Sequence, residues 1–268
     1  MRKEPDSVRE PMPAVFVGHG NPMNALATNS YTEGWRSIGA SMPRPKGIVC
    51  VSAHWYIDDT KVTAMPSPKT IHDFGGFPRE LYEVRYPAPG DPALAERVSR
   101  LLKPTSVGLD DSWGLDHGTW SVLVHMFPKA DIPVVQLSVD ATRPPSFHHD
   151  LGRRLAPLRD DGIFVLGSGN IVHNLQAYTW GNSRTKAYDW AVEFEDEARS
   201  LISSRNFAKL VQYENLGEPA VLSAPTPDHY LPLLYILPLS RPSDAISFPV
   251  EGFDGGSLSM LAVEFGRS

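Results

Sequence analysis

Nine histidines are spread along the chain, and the placement of four of them could do chemistry. Three follow short apolar runs that read as strands: His19 after Ala14-Val-Phe-Val17, His54 after Ile48-Val-Cys-Val51, and His173 after Ile163-Phe-Val-Leu166. Open α/β sheets bind ligands at the carboxyl ends of their strands, so three separate loops can bring imidazoles to one point. A fourth, His229, stands in Thr226-Pro-Asp-His-Tyr230, where Thr226 or Asp228 is placed to cap the helix that follows. One such histidine alone reads as a hydrogen-bonded structural side chain. Several placed together read as a metal site, because imidazole is the commonest protein metal ligand and suits iron, zinc or copper better than magnesium or calcium.

The local sequences agree with that reading. His19 lies in Gly18-His-Gly-Asn-Pro22, where glycines permit a sharp turn and Asn21 before Pro22 supplies a helix cap and first residue. His54 follows Ser52-Ala53 and precedes Trp55, a ring expected to wall off water on one side. His173 closes Gly167-Ser-Gly-Asn-Ile-Val-His173, a small-residue turn rich in amide donors. Cys2His2 spacing and a His-Glu-x-x-His helix are both missing, so zinc-finger and zincin readings have no support.

His117, in Gly114-Leu-Asp-His-Gly-Thr-Trp120, sits at a loop-to-helix junction and fits a catalytic acid or base, with Asp116 expected to orient the ring and raise its pKa. The same residues also read as a plain helix start. His125 reads as a structural helix residue, and His148 and His149 as solvated residues opening a surface helix. His72, in His72-Asp-Phe-Gly-Gly-Phe-Pro78, belongs to an aromatic loop placed to close over an aromatic substrate; Arg79 and Arg85 read as solvated.

The elements that must position these residues alternate between short apolar runs and helical patterns. To the three strands above are added Val134–Val139 and Leu258–Val263, and helices are expected over Thr32–Ser41, Pro92–Leu102, Thr119–Phe127, Phe147–Leu158, Lys186–Ser203, Asn206–Tyr213 and His229–Leu237. Asp91 before Pro92 is a cap and first-turn pair. That rhythm is an α/β fold with a central, mostly parallel sheet flanked by helices. With 268 residues and no linker or repeat, the chain reads as one domain over 1–268, residues 1–10 being a flexible extension. The 25 prolines, about twice the usual share, gather between elements and stiffen the loops. A net charge of -6 gives no footprint for nucleic acid. The single cysteine, Cys50, reads as a buried inert thiol. Neither a secretory signal nor a membrane span is visible, so cytoplasmic residence and small-molecule partners are expected. Oligomeric state is not legible.

Together these segments resemble the LigB-type class III extradiol ring-cleavage dioxygenases, within them the branch of 4,5-DOPA dioxygenase extradiol-like proteins. The resemblance rests on seven ordered motifs across nearly the whole chain: Gly18–Pro22, Ser52–Trp55, His72–Pro78, Tyr86–Gly90, Gly114–Trp120, Gly167–Asn174 and Thr226–Tyr230. It implies one divalent metal at the sheet rim on His19, His54 and His229, with His117 and His173 in acid and base positions. In some zinc-loaded members of the branch the counterpart of His173 approaches the metal as a further ligand. The broader family uses two histidines and a glutamate on ferrous iron, whereas here the third candidate is His229. The implied activity is opening of a catechol such as DOPA with dioxygen, using Fe(II), with Zn(II) the other ion expected in purified protein. The rival readings are a zinc hydrolase, since three histidines on zinc can activate water, and a non-catalytic binding protein of Memo type, against which all five histidines argue.

Overall fold

The apolar runs that lead to histidine become neighbouring strands. The structure, a computed structural model, describes residues 10–266 apart from Ser183, so all but Glu10 of the expected N-terminal extension lies outside it. Among the described residues ten strands form: β1 (Ala14–Gly18), β2 (Gly47–Ile57), β3 (Lys61–Thr63), β4 (Gly108–Asp110), β5 (Val134–Asp140), β6 (Ile163–Gly169), β7 (Ala245–Ser247), β8 (Phe253–Asp254), β9 (Leu258–Ser259) and β10 (Ala262–Gly266). All but β8 and β9, which pair with each other, join one sheet of order β4-β3-β5-β2-β6-β1-β10-β7. Its middle, β5-β2-β6-β1, is parallel throughout, while antiparallel pairings join β10 to β1 and β7, and β3 to β5. The fold class expected from sequence is the one observed.

Alternate residues of the central strands feed two cores, one on each face of the sheet. Phe16, Val49, Val51 and Val165 point to one side, and Val15, Val17, Ile48, Cys50, Phe164 and Leu166 to the other. This is why the strands read as continuous apolar runs rather than as alternation. Each such large side chain contributes on the order of 1.5–3 kcal/mol by leaving water.

The sheet is covered by α1 (Ser30–Ser41), α2 (Arg79–Glu83), α3 (Pro92–Leu101), α4 (His117–Met126), α5 (Pro145–Arg154), α6 (Pro157–Asp160), α7 (Asp189–Ser203), α8 (Phe207–Val211), α9 (Glu218–Ser223) and α10 (Leu231–Ile236). Asp91 caps α3 by accepting from the Leu94 amide at 3.0 Å, and Asn21 caps a short 3-10 turn over Pro22–Leu26 by accepting from Met23 at 2.9 Å. Both follow the sequence reading. Among the described residues no helix is long and apolar enough to cross a membrane.

Three differences have local causes. The helix expected over Phe147–Leu158 breaks into α5 and α6, because Pro157 has no amide hydrogen to donate and opens a new turn. The strand expected over Leu258–Val263 divides into β9 and β10: Ser259 and Met260 give their amides to the carbonyls of Val172 and Gly252, which takes them out of the sheet. His148 is fully buried rather than solvated, its Nδ1 3.0 Å from the Tyr235 hydroxyl.

Candidate metal centre and the cavity in front of it

Strand register explains the convergence. Ser168 of β6 lies beside Val17 of β1 on one flank and Ser52 of β2 on the other. His19 and His54 each stand two residues beyond those partners, so they leave the rim from the two strands that flank β6. Between Val51 and Tyr56 the pairing of β2 with β5 slips, and this irregularity turns Ser52–Trp55 out of plain strand geometry. The result is that the Nε2 atoms of His19 and His54 are 3.0 Å apart. His229 arrives from the segment before α10, pinned to the end of β6 by the Asn170 amide on its carbonyl at 2.9 Å. Its ring centroid is 5.3 Å from that of His19 and 5.0 Å from that of His54. Nitrogen atoms of the three rings all lie within 4.8 Å of one another.

Hydrogen bonds behind the rings decide which nitrogens face inward. The Ser168 hydroxyl donates to the Gly118 carbonyl at 2.5 Å, so toward His19 Nδ1, 3.0 Å away, it can only accept. His19 therefore carries its proton on Nδ1. His54 Nδ1 is 3.2 Å from Asp73 Oδ2, and His229 Nδ1 contacts the Asp228 carboxylate, which assigns the same tautomer to both. All three Nε2 atoms are then unprotonated. Two such lone pairs 3.0 Å apart cannot hydrogen-bond to each other and repel unless a cation lies between them. Two nitrogens bound at 2.0–2.1 Å to one ion, at angles of 90–110°, stand roughly 2.9–3.4 Å apart, so the residues present fit a metal. Ser168, Asp73 and Asp228 are the partners that fix the tautomer and orientation of these three rings, as the outer partners of metal-binding histidines do.

Burial, reinforced by the neighbouring imidazoles, pushes His19, His54 and His173 well below the ordinary histidine range. Neutral rings are what metal ligation requires. Burial raises Asp228, but the hydrogen bonds it accepts from His229 and Thr226 outweigh it and hold that carboxyl far below its usual value.

His117 opens α4, and its carboxylate partner is Asp73 rather than the expected Asp116. Asp73 Oδ1 accepts from the His117 amide at 2.9 Å, and Oδ2 accepts from His117 Nδ1 at 2.9 Å. Asp116 faces the other way, capping α4 at the Thr119 amide while bonding Ser52 Oγ at 2.7 Å and the Gln136 side chain. Burial and the charge of Asp73 push it up to about 6. Asp73 itself is raised by burial, but the hydrogen bonds it accepts from His117 outweigh this and hold its carboxyl below the usual value. One carboxylate thus orients both His54 and His117, whose ring centroids are 3.8 Å apart. Room for this pair is made by Gly118, where a Cβ would lie 2.5 Å from Ser52 Oγ and 2.9 Å from His54 Cδ2.

His173 stacks flat on His229, with centroids 3.4 Å apart and planes 4° from parallel. His72 turns away, its Nε2 3.1 Å from the Val84 carbonyl, and lies outside the cavity lining; its neighbours Asp73, Phe74 and Phe77 are in it. Trp55 also departs from expectation, stacking on Trp113 instead of walling the cleft. Asp228 and Thr226 do not cap α10, whose first turn has no side-chain cap. Asp73 was not singled out by its sequence, although a carboxylate beside an aromatic-glycine loop was a signal available there.

In front of the histidines lies a cavity of ≈ 220 Å³ walled by Phe74, Phe77, Leu175, Tyr178, Trp180 and Leu258. A single water needs only about 10–15 Å³ on the same measure, so a small organic molecule has room. Apolar and aromatic walls with a few convergent polar groups are the usual make-up of a small-molecule site.

The family described as the catalytic LigB subunit of aromatic ring-opening dioxygenase matches residues 12–238. The 4,5-DOPA dioxygenase extradiol of Escherichia coli K12 is 51% identical over 95% of each chain, and that of Beta vulgaris is 34% identical over 97% of each. A crystal structure of an uncharacterized protein from Escherichia coli K12 superposes with a TM-score of 0.83 at 47% identity, covering 95% of this chain and 100% of that one.

Proposed function

The chain belongs to the family of catalytic LigB subunits of aromatic ring-opening dioxygenases, and from that membership we propose that it opens a DOPA-type catechol with dioxygen at one Fe(II) ion held by His19, His54 and His229. The observation that carries this reading is the set of three unprotonated Nε2 atoms turned on one point, each fixed from behind by Ser168, Asp73 or Asp228. Bound there, a divalent iron would make the catechol hydroxyls more acidic and would supply the redox chemistry that dioxygen needs. Three neutral ligands leave both metal charges uncompensated, which favours an anionic substrate.

The chain's own residues supply the proton handling. With Nδ1–H committed to Asp73, His117 presents Nε2 to take a catechol proton, and the adjacent carboxylate stabilises the imidazolium that results. The same proton can return to an oxygen that gains negative charge later in the reaction. His173 is the second acid-base group rather than a fourth ligand. Rings bound to one ion radiate from it, whereas His173 lies parallel to His229; its nitrogen groups with Asp228 and His229 and not with His19 or His54. Phe74, Phe77 and Trp180 hold the aromatic ring and keep water away. Zinc suits the same nitrogen donors, but dioxygen chemistry calls for iron. Maintaining Fe(II) calls for a reducing setting, and the reading places the chain in the cytoplasm.

The test is anaerobic loading with Fe(II), followed by mixing with air-saturated DOPA while oxygen uptake and the yellow ring-opened product are followed together. One dioxygen per catechol supports the reading. An iron-loaded protein that consumes no oxygen across a catechol panel overturns it.

A further inference from the structure

Burial along the metal cavity runs from closed to open. At its inner end His19, His117, His229 and Leu258 are buried, and Phe74 and Phe77 are half-buried. Leu175 and Trp180, which line the same cavity, are 47% and 65% exposed. A ring held at the histidines by its two oxygens therefore turns its far edge toward Leu175 and Trp180. That outer rim is anchored. Trp180 packs edge-on against Tyr178, with centroids 4.8 Å apart, and the Tyr178 ring lies so close to Gly255 that a Cβ there would overlap it. The Thr179 amide donates to the Gly255 carbonyl at 3.0 Å. On the other flank Asn174 Nδ2 donates to the Leu222 carbonyl at 2.7 Å, which sets α9, with its exposed Val221 and Leu222, beside the Leu175 segment. Apart from the histidines, the charged side chain in the lining is Asp73, engaged by His54 and His117 at the inner end, so among the described residues no charged side chain lines the outer end. Scattered exposed apolar side chains are ordinary on a protein surface, but a group of them continuous with a cavity marks a binding surface.

We propose that this rim is a subsite for a hydrocarbon tail, giving the protein a further activity: ring opening of catechols that carry an uncharged alkyl chain para to one hydroxyl. The inference rests on the catechol reading above and goes beyond its DOPA-type substrates. The charged groups of DOPA gain nothing from apolar walls, whereas an alkyl chain leaves water against Leu175 and Trp180. The diol stays at the histidines and the chain follows the opening outward, between Trp180 on one side and Leu175 with α9 on the other. The balance of the reaction is unchanged. One ring C–C bond next to the diol breaks, the ring is oxidised, one dioxygen is reduced and both its atoms enter the product, with no other reductant needed.

The experiment is a homologous series, 4-methyl-, 4-propyl- and 4-pentylcatechol, on the iron-loaded protein, with oxygen uptake giving kcat/KM and calorimetry without air giving Kd. A fully buried methylene is worth about fourfold in affinity, and a wall open on one side is expected to give roughly twofold per methylene. From methyl to pentyl, kcat/KM should therefore rise, and Kd fall, by roughly ten- to twentyfold. Trp180→Ala is expected to cut the pentyl-to-methyl ratio about threefold, and Trp180→Phe, which keeps an aromatic face, should restore most of it. A merely structural loss would lower all three compounds together and leave the ratio where it was. A wild-type ratio below about fourfold, or a Trp180→Ala ratio above about half that of wild type, overturns the subsite while the catechol reading stands on DOPA. If neither the series nor DOPA is opened, both fall together.

Discussion

Replacing Asp73 by Asn keeps the side chain's shape and removes the charge that two histidines share. In the native site Oδ1 accepts from the His117 amide at 2.9 Å, while Oδ2 accepts from His117 Nδ1 at 2.9 Å and from His54 Nδ1 at 3.2 Å. The asparagine oxygen can keep the backbone bond, but its NH2 then meets two Nδ1–H donors. Relief comes only if the rings turn or move their protons to Nε2, which blocks His117 as a base and His54 as a ligand. The carboxylate is 15% exposed and the His117 side chain 6%, so solvent screens the pair little. A hydrogen bond to an ionised partner is worth about 1.5–3 kcal/mol, and with the tautomer change a loss of about 2–4 kcal/mol is expected. That is roughly a thirty- to thousand-fold fall in kcat. The assay is oxygen uptake per bound iron, with iron measured on the same sample so that lost metal is not mistaken for lost chemistry. A variant that keeps both wild-type kcat per iron and wild-type iron affinity would refute the role given to Asp73.

Ser168→Ala removes the acceptor that fixes His19 and strands the Gly118 carbonyl; metal affinity, read by chelator competition, should fall about tenfold or more, and unchanged affinity would contradict the tautomer assignment. Gly118→Ala puts a methyl group 2.9 Å from His54 Cδ2; a stability loss of about 1–3 kcal/mol with reduced metal content is expected, and wild-type values for both would contradict the packing argument. Burial holds His148 down at about 4, so the fold favours its neutral form; that stability is whole above pH ~6.5 and drains away as pH falls toward 4. Urea unfolding should therefore show wild type losing up to about 3 kcal/mol more than His148→Gln between pH 7 and pH 4; parallel losses would contradict it.

The parallel centre of the sheet was legible because strands buried on both faces must be apolar throughout, as Ile48–Val51 and Ile163–Leu166 are. The short outer strands β3, β4 and β7 were not, since three residues each are too few to display a period. His19 and His54 were legible as candidates for the same reason as their strands: each stands just beyond an apolar run. Their partners were harder. Asp116 and Asp73 are both one residue from a histidine, and only the packing of α4 shows that Asp116 is turned into the protein beside Gln136 while Asp73 crosses to His117. Likewise Asp228 looks like a helix cap until His229 is seen to take it. Sequence order names the groups that can act; tertiary contacts decide which carboxylate serves which ring.

The most direct measurement is the coordination of Fe(II) in protein loaded without air, by X-ray absorption or an anaerobic crystal structure. One iron with three imidazole nitrogens from His19, His54 and His229, at about 2.0–2.2 Å, and with His173 outside bonding distance, is the expected result. Iron bound elsewhere, or held by fewer than these three rings, would contradict the site on which the chemistry depends.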